Sequence, residues 1–219
     1  MNIFKSKKEK PSVQNSDTVR AAYEILQRYK AGKASVENRI IENEQWWKLR
    51  HRKDSIVSPS AWLFNSIINK HADAMDNLPT VSCLPREESD TASAKLLSDI
   101  LPVILDENKF ERTYSDCWYD KLKAGSACYG VFWDPTLSGG LGNVDIRRID
   151  LLNLFWEPGI TDIQHSKNVF HVELWDNASL REKYPALSDS LSSPVFDTSK
   201  YIYDDSVDTS DKTCVIDWY

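Results

Sequence analysis

The sequence predicts an α+β fold, a helical N-terminal part packed on a small, mostly antiparallel sheet. Three observations predict it. Apolar residues recur at helical spacing as far as Ala124. At Gly125, behind the basic turn Lys121 and Lys123, that period stops where a left-handed helix end is expected. Beyond it the chain carries short β-branched and aromatic runs separated by Gly, Pro and Asp.

Residues 1–16 are polar, basic and aperiodic, which predicts a disordered tail. Ser16 or Asp17 can cap a helix whose face is Val19, Ala22, Tyr23 and Leu26, with Gly32 as its stop. Ser35 then opens a second helix through Val36, Ile40 and Trp47. Trp46 and Trp47 are consecutive and so point about 100° apart. Two readings stay open for them: one in the core and one docking on a neighbouring subunit, or both inside one wide core. Ser58-Pro59 starts a helix carrying Ala61, Phe64, Ile67, Ile68, His71 and Met75 on one face, and His71 reads as a hydrogen-bonded core or boundary histidine. Thr80 to Leu84 reads as a short strand. Glu87 to Asp106 reads as a helix with Leu96, Leu97, Ile100 and Ile104 facing in, and Pro102 should kink or restart it.

The stretch 108–135, NKFERTYSDCWYDKLKAGSACYGVFWDP, organises the rest. Phe110, Tyr114, Cys117, Trp118 and Leu122 form one helical face, and Ser126 to Trp133 reads as one buried strand ended by Asp134-Pro135. SGGLGN is a hairpin turn into a second strand, Val144 to Ile149. Leu151 to Trp156 is a further strand, and Glu157-Pro158-Gly159 a turn. Val169 to Trp175 is a strand apolar on both faces. Asn177 caps a short helix, Ala178 to Tyr184, that Pro185 stops. Residues 186–212, rich in Ser and Asp, read as a mobile acidic loop. TCVIDWY is a strand pattern with no turn behind it, which reads as a truncated chain or a broken reading frame.

Net charge is −6 over 219 residues, unevenly placed. Residues 1–53 carry 13 Lys and Arg against 6 Asp and Glu, net +7, whereas residues 54–184 carry 12 against 20, net −8. An acidic body argues against tight non-specific nucleic-acid binding. The four cysteines are scattered without CxxC or Cys-His spacing, which argues against a structural zinc site. No run approaches the apolar length of a membrane span. Eight Trp fit a large core or subunit contacts. The sequence has no Walker loop, GxGxxG, GxSxG or HExxH, and GGLGN precedes a strand, so it lacks the helix N-terminus of a phosphate cradle. Asp116, Asp120, Asp134, Asp145 and Glu157 are carboxylates of the kind two-metal nucleases use, but no spacing fixes a pair. No catalytic, cofactor-binding or metal-ligating residue is assigned. The structural candidates are Gly125, Gly130, Trp133, Asp134, Trp46 and Trp47. Arg147-Arg148 puts one guanidinium on each face of its strand.

The aromatic helix followed by Gly and YGVFWDP, then VDIRRIDLLNLFWEPG and VFHVELW, resembles the front part of a tailed-bacteriophage portal protein. Upstream, SPSAWLFNSIINKHADAMDNLPTVSCLPRE resembles the segment where portal chains run from a long helix into the wing region. The resemblance covers roughly residues 17–219, as one wing-like domain with stem, clip and crown absent. It implies a structural, non-enzymatic subunit without cofactors, at the capsid vertex of a virion or prophage and in the host bacterial cytoplasm during assembly. It implies a homo-oligomeric ring of about twelve copies when full length, through which double-stranded DNA passes without sequence specificity. It also implies the terminase large subunit, a head–tail adaptor, and capsid and scaffold proteins as partners. Without stem and crown, this chain is expected not to close a stable ring by itself. Two rival readings remain: a metal-dependent nuclease or hydrolase using clustered Asp and Glu, and a head–tail adaptor or interaction module that forms no channel.

Overall fold

The computed structural model describes residues 16–50, 61–185 and 208–219. The basic tail, the Ser58-Pro59 helix start and nearly all of the acidic loop lie outside them. The fold is α+β, with two antiparallel sheets among the described residues, and the chain divides into two compact units.

Unit one takes the first part of helix α1 (Ser16–Trp47), up to Ser35, together with Leu154 to Pro185 and the C-terminal segment from Asp208. Its sheet has the order β3 (Leu154–Trp156), β4 (Val169–Asp176), β5 (Lys212–Trp218), so β4 is central. A central strand needs apolar groups on both faces, and β4 buries Phe170, His171 and Val172 in succession. Helix α1 lays Ala22, Leu26, Tyr29 and Lys33 inward at steps of three and four residues. Tyr29 meets Phe170 edge-on at 6.0 Å between ring centroids, and Lys33 Nζ lies 4.3 Å from the centre of the Phe155 ring. Tyr29, Phe155 and Phe170 are at most 2% exposed, and burying an aromatic of this size contributes up to about 3 kcal/mol.

Helix α1 runs straight through Gly32, where the sequence predicts a stop and a second start at Ser35. The glycine serves a close approach instead: a Cβ there would lie 2.5 Å from Pro158 Cγ. The inward face is accordingly shifted from the expected one, and Val19 and Tyr23 are exposed. The Glu157–Gly159 turn is present, with Gly159 at φ +88°. The expected strand 151–156 is shorter, a 3₁₀ turn at Leu151–Asn153 followed by β3. Asn177 is the first residue of its helix, Asn177–Lys183, and not the cap; its Oδ1 accepts from Thr213 Oγ1 at 2.6 Å.

Unit two holds the rest of α1, helices α2 (Trp62–Met75), α3 (Thr91–Glu107) and α4 (Phe110–Ala124), and the hairpin β1 (Cys128–Asp134) and β2 (Asn143–Ile149). Helix α4 ends as its sequence predicts, with Gly125 at φ +82° and its N–H donating to the Lys121 carbonyl at 2.9 Å. Strand β1 alternates half-buried and exposed residues, so it is not the buried strand expected; Tyr129, Val131 and Trp133 face out. A hairpin with a single partner strand has one face to spare.

Three further expectations of unit two are met only in part or fail. Residues 80–84 form no strand; the Cys83 backbone pairs with a side chain instead, its N–H donating to Ser98 Oγ at 2.8 Å. Helix α3 continues across Pro102, so the proline does not restart it. Of the face expected inward on α3, Ile104 is half-buried but Leu96, Leu97 and Ile100 are exposed, as is Val103; the helix turns Ala94, Ser98, Leu101, Leu105 and Asn108 inward. Polar contacts fix that orientation. Asn108 Nδ2 donates to the Val144 carbonyl at 3.0 Å, and its Oδ1 accepts from Ile146 N–H at 2.8 Å.

Two glycines of the helix–hairpin link carry a stability prediction. Gly125→Ala costs about 1 kcal/mol, from the positive φ alone, since a Cβ there meets nothing within 4 Å. Gly130→Val costs about 1–3 kcal/mol, because its Cβ collides with the Phe132 ring and approaches Ile149 Cδ1 at 3.4 Å. Thermal unfolding of both variants beside the parent should show the larger drop for Gly130→Val; equal melting of that variant and the parent refutes the packing role.

Candidate functional site

The chemistry-bearing side chains of unit two gather around α4. On one stripe, Ser115 and Tyr119 meet α2: His71 Nε2 lies 3.0 Å from Ser115 Oγ and 3.2 Å from the Ser115 carbonyl, and its ring stacks on Tyr119 at 3.7 Å. His71 is thus the buried, hydrogen-bonded histidine that the sequence predicts. Trp47 joins the cluster, stacked on Phe64 at 4.7 Å and 5.9 Å from Tyr119, whereas Trp46 is 43% exposed. The two tryptophans therefore divide between packing and surface.

At the C-terminal turn of α4, Lys123 Nζ pairs with Glu44 Oε2 at 2.9 Å, and the Lys123 carbonyl accepts from Asn43 Nδ2 at 2.8 Å. One turn earlier, Asp120 takes the Arg148 guanidinium on both oxygens, Nη2 to Oδ1 at 2.9 Å and Nε to Oδ2. Burial alone would lower the arginine's pKa; the hydrogen bond and charge of Asp120 outweigh it and raise the value further. A cavity of about 100 Å³ lies here, lined among others by Glu44, Lys48, Asp120, Lys123, Arg148 and Asp150.

The third side of α4 faces the hairpin. Cys117 is buried against the Cys128 carbonyl, with Sγ to O at 3.8 Å. Burial first, then the Asp120 carboxylate, pushes the Cys117 thiol up to about 11, and burial raises Cys128 as well. Both favour the neutral thiol, the opposite of what a nucleophilic cysteine needs.

Of the carboxylates singled out in the sequence, Asp116 and Asp120 line one cavity beside Arg148 and Lys123, and Asp134, Asp145 and Glu157 each have local partners. Asp120 is taken by Arg148, and Asp145 pairs with Arg147 at 3.0 Å. Asp134 Oδ1 closes a turn, accepting from Thr136 N–H at 2.8 Å and Oγ1 at 2.6 Å. Glu157 is in unit one and pairs with Lys167 Nζ at 3.7 Å. Of the structural candidates, Gly125 and Gly130 shape the helix–strand link, Trp133 is 63% exposed on β1, and Trp47 packs while Trp46 sits at the surface. Sequence reading missed the Asp120–Arg148 and Glu44–Lys123 pairs, whose partners lie 28 and 79 residues apart. It also missed a place where histidine and carboxylates converge: among the described residues, His171, Glu173 and Asp217 in unit one.

Arrangements of this kind hold a scaffold together, and two stability measurements check that. Asp120→Asn should cost about 1–2 kcal/mol, a charge-assisted hydrogen-bond pair discounted because Arg148 is partly exposed. A cycle with Arg148→Met should show coupling between the two changes; additive losses refute the pairing. The raised Cys117 pKa has its own signature. The folded state prefers the protonated thiol, so this stability is fully present below the ordinary value of 9.0 and is lost as pH rises through about 11, by up to about 3 kcal/mol. Cys117→Ala should therefore flatten the decline in melting temperature between pH 9 and 11. A decline as steep as the parent's overturns the assignment.

Comparison with known proteins agrees with a scaffold. No curated protein matches the chain. The model of the phage P22-like portal protein family matches residues 65–219, from α2 through β5, which is well over half of the sequence. The chain belongs to the phage P22-like portal protein family, whose role at the capsid vertex is structural.

Proposed function

We propose that this chain is a subunit of the portal ring at one vertex of a phage head, the conduit through which double-stranded DNA enters and leaves. In this reading the ring offers docking surfaces to the packaging terminase and to head–tail proteins, and the chain performs no catalysis of its own. The observation that carries it is the family match, which runs through both α4 and the hairpin.

Unit two supports a role in assembly. Helix α3 leaves Leu96, Ile100 and Val103, which lie within about 60° of one another around the helix, 60%, 41% and 56% exposed. Trp62 at 80% and Trp133 at 63% add exposed aromatics of the type enriched at subunit contacts. An exposed apolar stripe such as that on α3 is of the kind that marks protein–protein contact, and a homo-oligomeric ring supplies the second copy.

Sedimentation velocity across a concentration series tests the assembly. The parent should self-associate, and the double variant Leu96→Asp, Val103→Asp should remain monomeric with its melting temperature retained. A parent that stays monomeric at high concentration, or a variant that associates equally well, counts against this surface. The second test addresses the hydrolase rival. Purified protein should neither hydrolyse ATP nor cut plasmid DNA with Mg²⁺ or Mn²⁺; activity that survives repurification and is lost in Asp134→Ala would replace the portal reading with a nuclease.

A further inference from the structure

We propose that His171, Glu173 and Asp217 form a binding site for a divalent transition-metal ion of the zinc class, on the β4–β5 ladder of unit one. Strand pairing creates the set. His171 and Asp217 are direct cross-strand partners in the antiparallel register. Glu173 lies two residues along β4 and so projects from the same face of the sheet as His171. The three residues each offer one ligand atom, and these atoms lie within 4.8 Å of one another. His171 Nδ1 and Glu173 Oε1 are 3.7 Å apart. Zinc bonds of about 2.0–2.2 Å in tetrahedral array put ligand atoms about 3.4 Å from each other. The histidine–glutamate edge is close to that value, and a modest turn of half-buried carboxylates closes the rest.

The surroundings hold the set in place. Strand β4 is the central strand, paired with β5 without interruption from Phe170↔Trp218 to Asp176↔Lys212. Trp175 Nε1 donates to Glu173 Oε2 at 2.9 Å, which fixes that carboxylate with Oε1 toward the imidazole, the orienting hydrogen bond that metal-bound carboxylates commonly have. His171 is buried, with only 9% of its side chain exposed, whereas Glu173 and Asp217 are half-buried and give an ion a way in.

The donor set selects the ion class. One imidazole nitrogen and two carboxylate oxygens suit Zn²⁺ and its neighbours, whereas Mg²⁺ and Ca²⁺ prefer all-oxygen shells. Three protein ligands leave a fourth position for water. The ion would clamp the C-terminal strand to the centre of the sheet, and the proposal does not depend on the portal reading.

The test is titration of the chelator-stripped full chain with Zn²⁺ by calorimetry in buffer containing excess Mg²⁺, with Co²⁺ absorption as a second probe. Saturable binding of one ion per chain is expected, with a higher melting temperature when loaded. Asp217→Asn and Glu173→Gln should each weaken binding at least about tenfold, the effect that loss of a merely orienting group already has. His171→Gln is the stricter variant, but its site is buried. The two carboxylate variants, whose apo forms should melt near the parent, are therefore the deciding ones. No saturable binding at millimolar Zn²⁺, or binding unchanged in both carboxylate variants, overturns the site.

Discussion

Helix α4 must satisfy three neighbours at once, and unit two depends on its doing so. Successive side chains on a helix step by about 100°. Ser115, Tyr119 and Lys123 therefore share one stripe, and they meet His71, Trp47 and Glu44. Asp120 lies to one side of that stripe and takes Arg148 of β2. Cys117 lies further round and packs on β1. No simple amphipathic pattern describes a helix of this kind, because polar groups point inward on two of its sides. Its polar residues are tolerable there because each meets a hydrogen-bond or charge partner.

That arrangement constrains what the carboxylates can do. An aspartate with both oxygens on one guanidinium is a poor metal ligand, because both oxygens are already engaged. The cysteines beside it are held as neutral thiols. Polar chemistry around α4 is thus used for positioning, in agreement with the structural role of the portal family.

Local signals were legible where one residue type has one physical use. Gly125 could be read as a helix stop because a left-handed φ after a basic turn suits little else. His71 could be read as a packed histidine because it sits on an apolar face with no ligand-type neighbour in sequence. Reading failed where a distant partner decides. Gly32 reads as a stop until Pro158, 126 residues away, is known to lie against it. Residues 80–84 read as a strand until Ser98 is seen to satisfy the Cys83 backbone. The His171, Glu173 and Asp217 set spans 46 residues and exists only in the β4–β5 register, which no spacing rule encodes.

The orientation of α3 is the most consequential of these misreadings. The periodic apolar face, Leu96, Leu97 and Ile100, is the one a burial argument turns inward, yet it is exposed. Rotating α3 by half a turn would bury it, but would remove Ser98 from Cys83 and Asn108 from β2, leaving backbone groups without those partners. Orphaned buried polar groups cost about 1–3 kcal/mol each. The chain thus gives up apolar burial within the monomer to keep its hydrogen bonds. Burying the 41–60% of Leu96, Ile100 and Val103 that is still exposed would contribute about 1–1.5 kcal/mol per side chain. Association itself costs at least about 4 kcal/mol and often much more, so this stripe can supply only part of a stable contact. In the portal ring proposed above, the remainder would come from other surface buried as copies meet around the closed assembly, where each copy makes the same contact twice. A surface too weak for a single tight pair, yet repeated around a closed symmetric assembly, is consistent with the ring proposed for this chain.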